Sequence, residues 1–79
     1  MTFEDLLDIL AEQFSCDTAE LSRGVALSDL GADHEDMVEL AWGLGEAVGV
    51  EIDESELSVD MTLGELWRFV VDLAENAEM

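Results

Sequence analysis

Apolar residues recur at helical spacing in three separate stretches of the chain. Phe3, Leu6, Leu7, Leu10 and Phe14 stand three or four positions apart, and Glu4, Asp5, Asp8 and Glu12 fall on the other side. That period is one face of an amphipathic helix. It predicts a helix from about Phe3 to Phe14, opened by Thr2 as N-cap with Asp5 as the acid of a capping box. Met37, Leu40, Ala41, Leu44 and Val48 repeat the pattern, with Val38 and Gly45 at its margin. A second helix is therefore expected from just after Asp33 to about Val48, with Gly49 closing it in a left-handed C′ conformation. Leu63, Leu66, Phe69, Val70, Leu73, Ala74 and Ala77 make a third apolar face, with Trp67 on its margin and Glu65, Arg68, Asp72 and Glu75 outward. Thr62-Leu63-Gly64-Glu65 is a capping box for that last helix, and Asp53 can cap a short helical turn running through Leu57. No stretch alternates apolar and polar residues as a strand does. The pattern predicts an all-α fold, a small bundle of three main helices plus one short one, as a single domain over residues 1–79.

The long connection between the first two helices has some order of its own. Asp17-Thr18-Ala19-Glu20-Leu21 reads as one capped turn, and Val25, Ala26 and Leu27 are apolar enough to lie back on a core. Long loops in small domains are usually packed by their own side chains in this way. Within the second helix Gly43 and Gly45 are unexpected, since each destabilises a helix interior by about 1 kcal/mol relative to alanine. They imply either a close approach by another element or a loosely wound helix. Cys16 reads as a small buried hydrophobe at the end of the first helix.

Composition changes the picture mainly through charge. The 79 residues include 21 acidic side chains against two arginines, Arg23 and Arg68, and no lysine, giving a formal net charge of −19. Such a chain would be expected to stay disordered if it were also poor in apolar residues, but 49% of it is hydrophobic, enough to drive folding. The surface excludes nucleic acid and anionic membrane as direct partners, because both are polyanions. It favours proteins that present lysine and arginine. A generalised acidic surface of the halophilic kind is the bland alternative. A lone cysteine cannot form an internal disulfide, so a reducing cytoplasmic setting is expected, and no apolar run is long enough to span a bilayer. A monomer is expected.

The stretch Asp29-Leu30-Gly31-Ala32-Asp33 followed, in register, by Val38-Glu39-Leu40 resembles the signature of acyl carrier proteins. In that family a serine stands between the two halves of the motif and receives 4′-phosphopantetheine. Further matching features are Leu21 and Leu27, Val50-Glu51-Ile52, and Thr62 at the start of the last helix, so the resemblance runs from Phe3 to about Leu73. It implies the family's helical bundle. It also implies that Glu39 and Glu46 on the second helix meet basic patches on partner enzymes, and that Trp42 stands where partners pack against an apolar side chain; Glu35, on the same helix, is expected to join them at such a patch. An aromatic amid charge is a plausible interface anchor on physical grounds as well; the competing reading is that Trp42 only flanks the core and the glutamates are only solvated.

At the serine's place stands His34, directly after the capping Asp33, and Glu35 replaces the leucine that usually follows. Imidazole has no hydroxyl to esterify, and Ser28 and Ser55 lie elsewhere in the pattern. No prosthetic group is therefore expected on the chain as written, with His34 and Asp33 marking the position where the family holds it. A metal site has little support, because His34 has no second histidine and no cysteine pair as co-ligands. No nucleophile, base and partner occur in register, so an enzyme is not expected. Three readings remain: a docking module of acyl carrier type without the arm; a true acyl, aminoacyl or polyketide carrier whose serine has been replaced by His34; and an acidic domain that binds metal weakly or has no specific partner.

Overall fold

The computed structural model of the protein describes residues 2–77, with side chains from Thr2 to Glu75. Three α-helices form where the periodicity places them: α1 (Phe3–Phe14), α2 (His34–Val48) and α3 (Leu63–Ala77). Each begins at a side chain that satisfies backbone N–H groups the helix itself leaves unpaired. Thr2 and Asp5 exchange hydrogen bonds at the head of α1 (2.9 and 3.2 Å). Asp33 and Asp36 do so at α2 (both 3.0 Å), and Thr62 and Glu65 at α3 (3.0 and 3.2 Å).

The expected short helix is one 3₁₀ turn, Glu54–Glu56, capped by Asp53, whose Oδ1 accepts from the Ser55 N–H at 3.0 Å. Two more such turns order the long connection. Thr18–Glu20 is the turn anticipated behind Asp17; Leu27–Leu30 was not legible in the sequence. Asp29 steadies the latter by accepting from the Ala26 N–H at 3.1 Å.

The connection is held down by pairing with the segment ahead of α3. The Leu27 N–H donates to the Met61 carbonyl at 3.0 Å, the Leu63 N–H to Val25 at 2.8 Å, and the Gly64 N–H to Arg23 at 3.0 Å. Among the described residues no strand develops beyond one antiparallel bridge, Ala26 with Thr62. These bonds drive Leu27 into the core, where it is fully buried with Leu6, Leu10, Leu40, Leu44, Leu63 and Leu66. Leu21, Ile52 and Leu57 are buried in the same core. Among the described residues no charged or polar side chain is buried, so the core is held by apolar burial alone.

Phe3, Leu7 and Phe14 are only half-buried, as is Val48 at the far end of α2. The Arg23 guanidinium lies over the Phe3 ring, 4.3 Å from its centroid, and Trp67 meets the same ring edge-on at 5.9 Å. One of the two arginines thus covers the Phe3 ring of an aromatic pair packed against the core. Cys16 is half-buried against the core. Ala77 belongs to α3, but its side chain lies outside the described part of the protein.

The two glycines of α2 have opposite explanations. At Gly45 a Cβ would sit 2.6 Å from the Val50 carbonyl oxygen, so the chain leaving the helix can fold back only because no side chain is there. At Gly43 a Cβ would meet nothing within 4 Å. Gly43→Ala should accordingly stabilise the protein by about 1 kcal/mol, while Gly45→Ala should lower the melting temperature despite its better helix propensity. Thermal unfolding followed by circular dichroism checks both; equal shifts of one sign would contradict the close approach at Gly45.

Candidate functional site: the head and outer face of the second helix

The approach to α2 is set by backbone geometry. Gly31 adopts φ 81°, a left-handed conformation that a side chain would strain. Its N–H donates to the Ser28 carbonyl at 3.1 Å, and the next N–H, from Ala32, donates to Leu27 at 3.3 Å. The chain thereby turns sharply and delivers Asp33 as N-cap. Its Oδ1 accepts from Asp36, which places His34 as the first helical residue. His34 is exposed, and so is Glu35. Among His34, Glu35 and Asp36, the three residues that open the helix, none carries a hydroxyl. From α1, the Gln13 side-chain amide donates to the Asp36 carbonyl at 2.8 Å and ties the head of α2 to its neighbour.

Farther along α2, the structure brings Glu39, Trp42 and Glu46 together on the solvent side. All three are exposed, and Trp42 leaves 69% of its surface open. Glu35 lies a turn nearer the helix head, on the same flank. Val38, at the margin of the apolar face, is 42% exposed and one turn from Trp42, so it extends the apolar part of this face. Spacing alone could not settle how far it is exposed, because a residue at the edge of an apolar stripe is buried only if something packs over it.

Trp42 stands as a ridge between two shallow grooves. On one side Val38, Ala41, Gly45, Val50 and Ile52 line a hollow of about 420 Å³, with Glu46, Glu51 and Glu54 at its edge. On the other, Ile9, Gln13, Gly43 and Ala47 line one of about 770 Å³, edged by Glu12, Glu39 and Glu46. Both are apolar-floored and acid-rimmed, an arrangement suited to cationic protein surfaces and unsuited to anions. Among the described residues no group of three histidine, cysteine or acidic side chains converges as a metal site, and no helix is long and apolar enough to cross a membrane.

An acid-faced helix led by an Asp cap and a left-handed glycine, and braced by two other helices and an ordered first loop, is the architecture of an acyl carrier domain. The family model described as a phosphopantetheine attachment site matches residues 4–70. The acyl carrier protein of Helicobacter pylori (strain G27) is 35% identical over 71 residues, covering 89% of this chain and 91% of its own. That of Helicobacter acinonychis (strain Sheeba) is 32% identical over 71 residues, covering 89% of this chain and 91% of its own. The chain belongs to the phosphopantetheine attachment site family, the family of acyl carrier proteins.

Proposed function

We propose that this protein is a docking module with the acyl carrier fold that does not carry the prosthetic arm on α2. The observation behind the reading is the residue that follows the capping Asp33. His34 is exposed at the first position of α2, where the family motif places its serine, and imidazole offers only nitrogen. 4′-Phosphopantetheine is joined through a phosphodiester to a hydroxyl oxygen, so the residues at the head of α2 do not fit the group. Glu35 adds a charge where the motif has an apolar residue.

What remains of the family's repertoire is the outer face of α2. Glu35, Glu39 and Glu46 around Trp42 would meet a basic patch on a biosynthetic or regulatory enzyme, charge guiding the encounter and the aromatic ring anchoring it. Glu39→Lys combined with Glu46→Lys should weaken binding to such an enzyme by about tenfold or more, and added salt should weaken the unmodified protein's binding progressively. Calorimetric titration at two ionic strengths checks both; affinity indifferent to the charge reversal and to salt contradicts the assignment. A second reading draws on the intact cap formed by Gly31, Asp33 and Asp36. It takes the chain as a carrier of acyl, aminoacyl or polyketide intermediates in which only the acceptor residue has been exchanged.

A further inference from the structure

The geometry points to a basic amphipathic helix as the partner element, seated in the groove between α1 and α2 and crossing α2 at Gly43. This rests on the docking reading above and specifies the shape of what docks. Gly43 lies mid-helix, where glycine is unfavourable, and nothing in the fold needs it there, since a Cβ would meet no atom within 4 Å. Gly45 differs, because its missing side chain is already occupied by the Val50 carbonyl. The space above Gly43 therefore faces outward, on the floor of the larger groove. Small residues at a crossing point let two helix axes approach toward the short end of their usual separation.

The rim defines the rest of the occupant. Glu12 stands on the α1 side, and Glu39 and Glu46 stand about two turns apart on the α2 side. Acids on both banks of an apolar floor match an element with a narrow apolar stripe and cations on both flanks, which is a helix with lysine or arginine beside its apolar face. A flat basic patch would engage only one bank. A second copy of this chain is excluded as occupant by charge, since each copy carries −19 and would set acidic rim against acidic rim.

The test is a titration of the ¹⁵N-labelled protein, followed by amide NMR, with a synthetic helical peptide carrying leucine and alanine on one face and lysine on both flanks. A lysine–serine peptide of equal charge serves as comparison. The amides of Ile9, Glu12, Gln13, Gly43 and Ala47 should move most, and the lysine–serine peptide should not reproduce the pattern. Gly43→Leu should weaken the leucine peptide by about tenfold or more while melting no lower than the unmodified protein. Changes centred on Val50 to Glu54, undiminished binding by Gly43→Leu, or no binding of the leucine peptide would each overturn the groove assignment. The charge reversal at Glu39 and Glu46 against a partner enzyme tests the docking reading separately, so the two can fail independently.

Discussion

Leu40→Ala should unfold this protein at low ionic strength and leave it folded, though weakened, at high salt. Leu40 is fully buried at the middle of α2, on the side that faces the rest of the core. Truncating such a leucine removes buried methyl groups and leaves a cavity, a loss of roughly 2–5 kcal/mol. A domain of this size has little stability to lose, near the lower end of the usual range of about 5–15 kcal/mol. Repulsion among 21 acidic side chains against two arginines draws on the same small margin. The unfolded chain separates those charges and escapes part of the repulsion, so salt should shift the balance back toward folding. Thermal melts of the variant in dilute buffer and in concentrated sodium chloride give the answer. A cooperative transition in dilute buffer, close to that of the unmodified protein, would contradict the view that one leucine-rich core holds the fold.

The second large effect is the dependence of stability on pH and ionic strength. The Debye length falls from about 10 Å at 0.1 M salt to about 3 Å at 1 M, while the radius of gyration is 11.5 Å. Moderate salt thus screens charges on opposite sides of the molecule, and only high salt screens neighbours on one helix. The melting temperature should keep rising across that whole range. Acid acts in two opposed ways. Protonating carboxylates relieves repulsion and stabilises the folded state. Against this, the carboxyls of Asp5, Asp53 and Glu65 are held below the ordinary carboxylate range, first by the backbone N–H groups of Thr2, Ser55 and Thr62 and then by side-chain hydrogen bonds from the same residues. A depressed pKa in the folded state means that the group contributes stability above its unfolded pKa. That contribution is lost as pH falls through the folded value. The melting temperature should therefore climb from neutral pH into mild acid, pass a maximum, and fall once these caps protonate. A monotonic decline from pH 7 would show that the caps outweigh the repulsion.

Helix positions were legible because three apolar faces at helical period, each opened by a capping side chain, leave little freedom. Leu6, Leu10, Leu40, Leu44, Leu63 and Leu66 could be assigned to the core from spacing alone, and Asp53 marked its turn even though one residue cannot say whether the turn is α or 3₁₀. The Leu27–Leu30 turn was hidden because, beside the local bond from Ala26 to Asp29, it is held by hydrogen bonds to Val59 and Met61, partners far away in the sequence. Spacing put Val38 at the margin of the apolar face, and its 42% exposure agrees; how much of a marginal residue is covered depends on what packs over it, which spacing does not tell. Gly45 could be flagged as anomalous but not explained until Val50 was seen to fold over it. At the site, Asp33, His34 and Glu35 were placed at the head of α2 by the motif, and Glu39, Trp42 and Glu46 by helical spacing. The two grooves flanking Trp42 are tertiary features with no local signature.

The acyl carrier fold without an attachment hydroxyl is most directly tested by the intact mass of the protein after incubation with a promiscuous phosphopantetheinyl transferase and coenzyme A, beside its His34→Ser variant. The protein should keep its mass and the variant should gain one phosphopantetheine arm, because the cap, the turn at Gly31 and the helix head are otherwise in place. An arm on the unmodified protein would contradict the account outright.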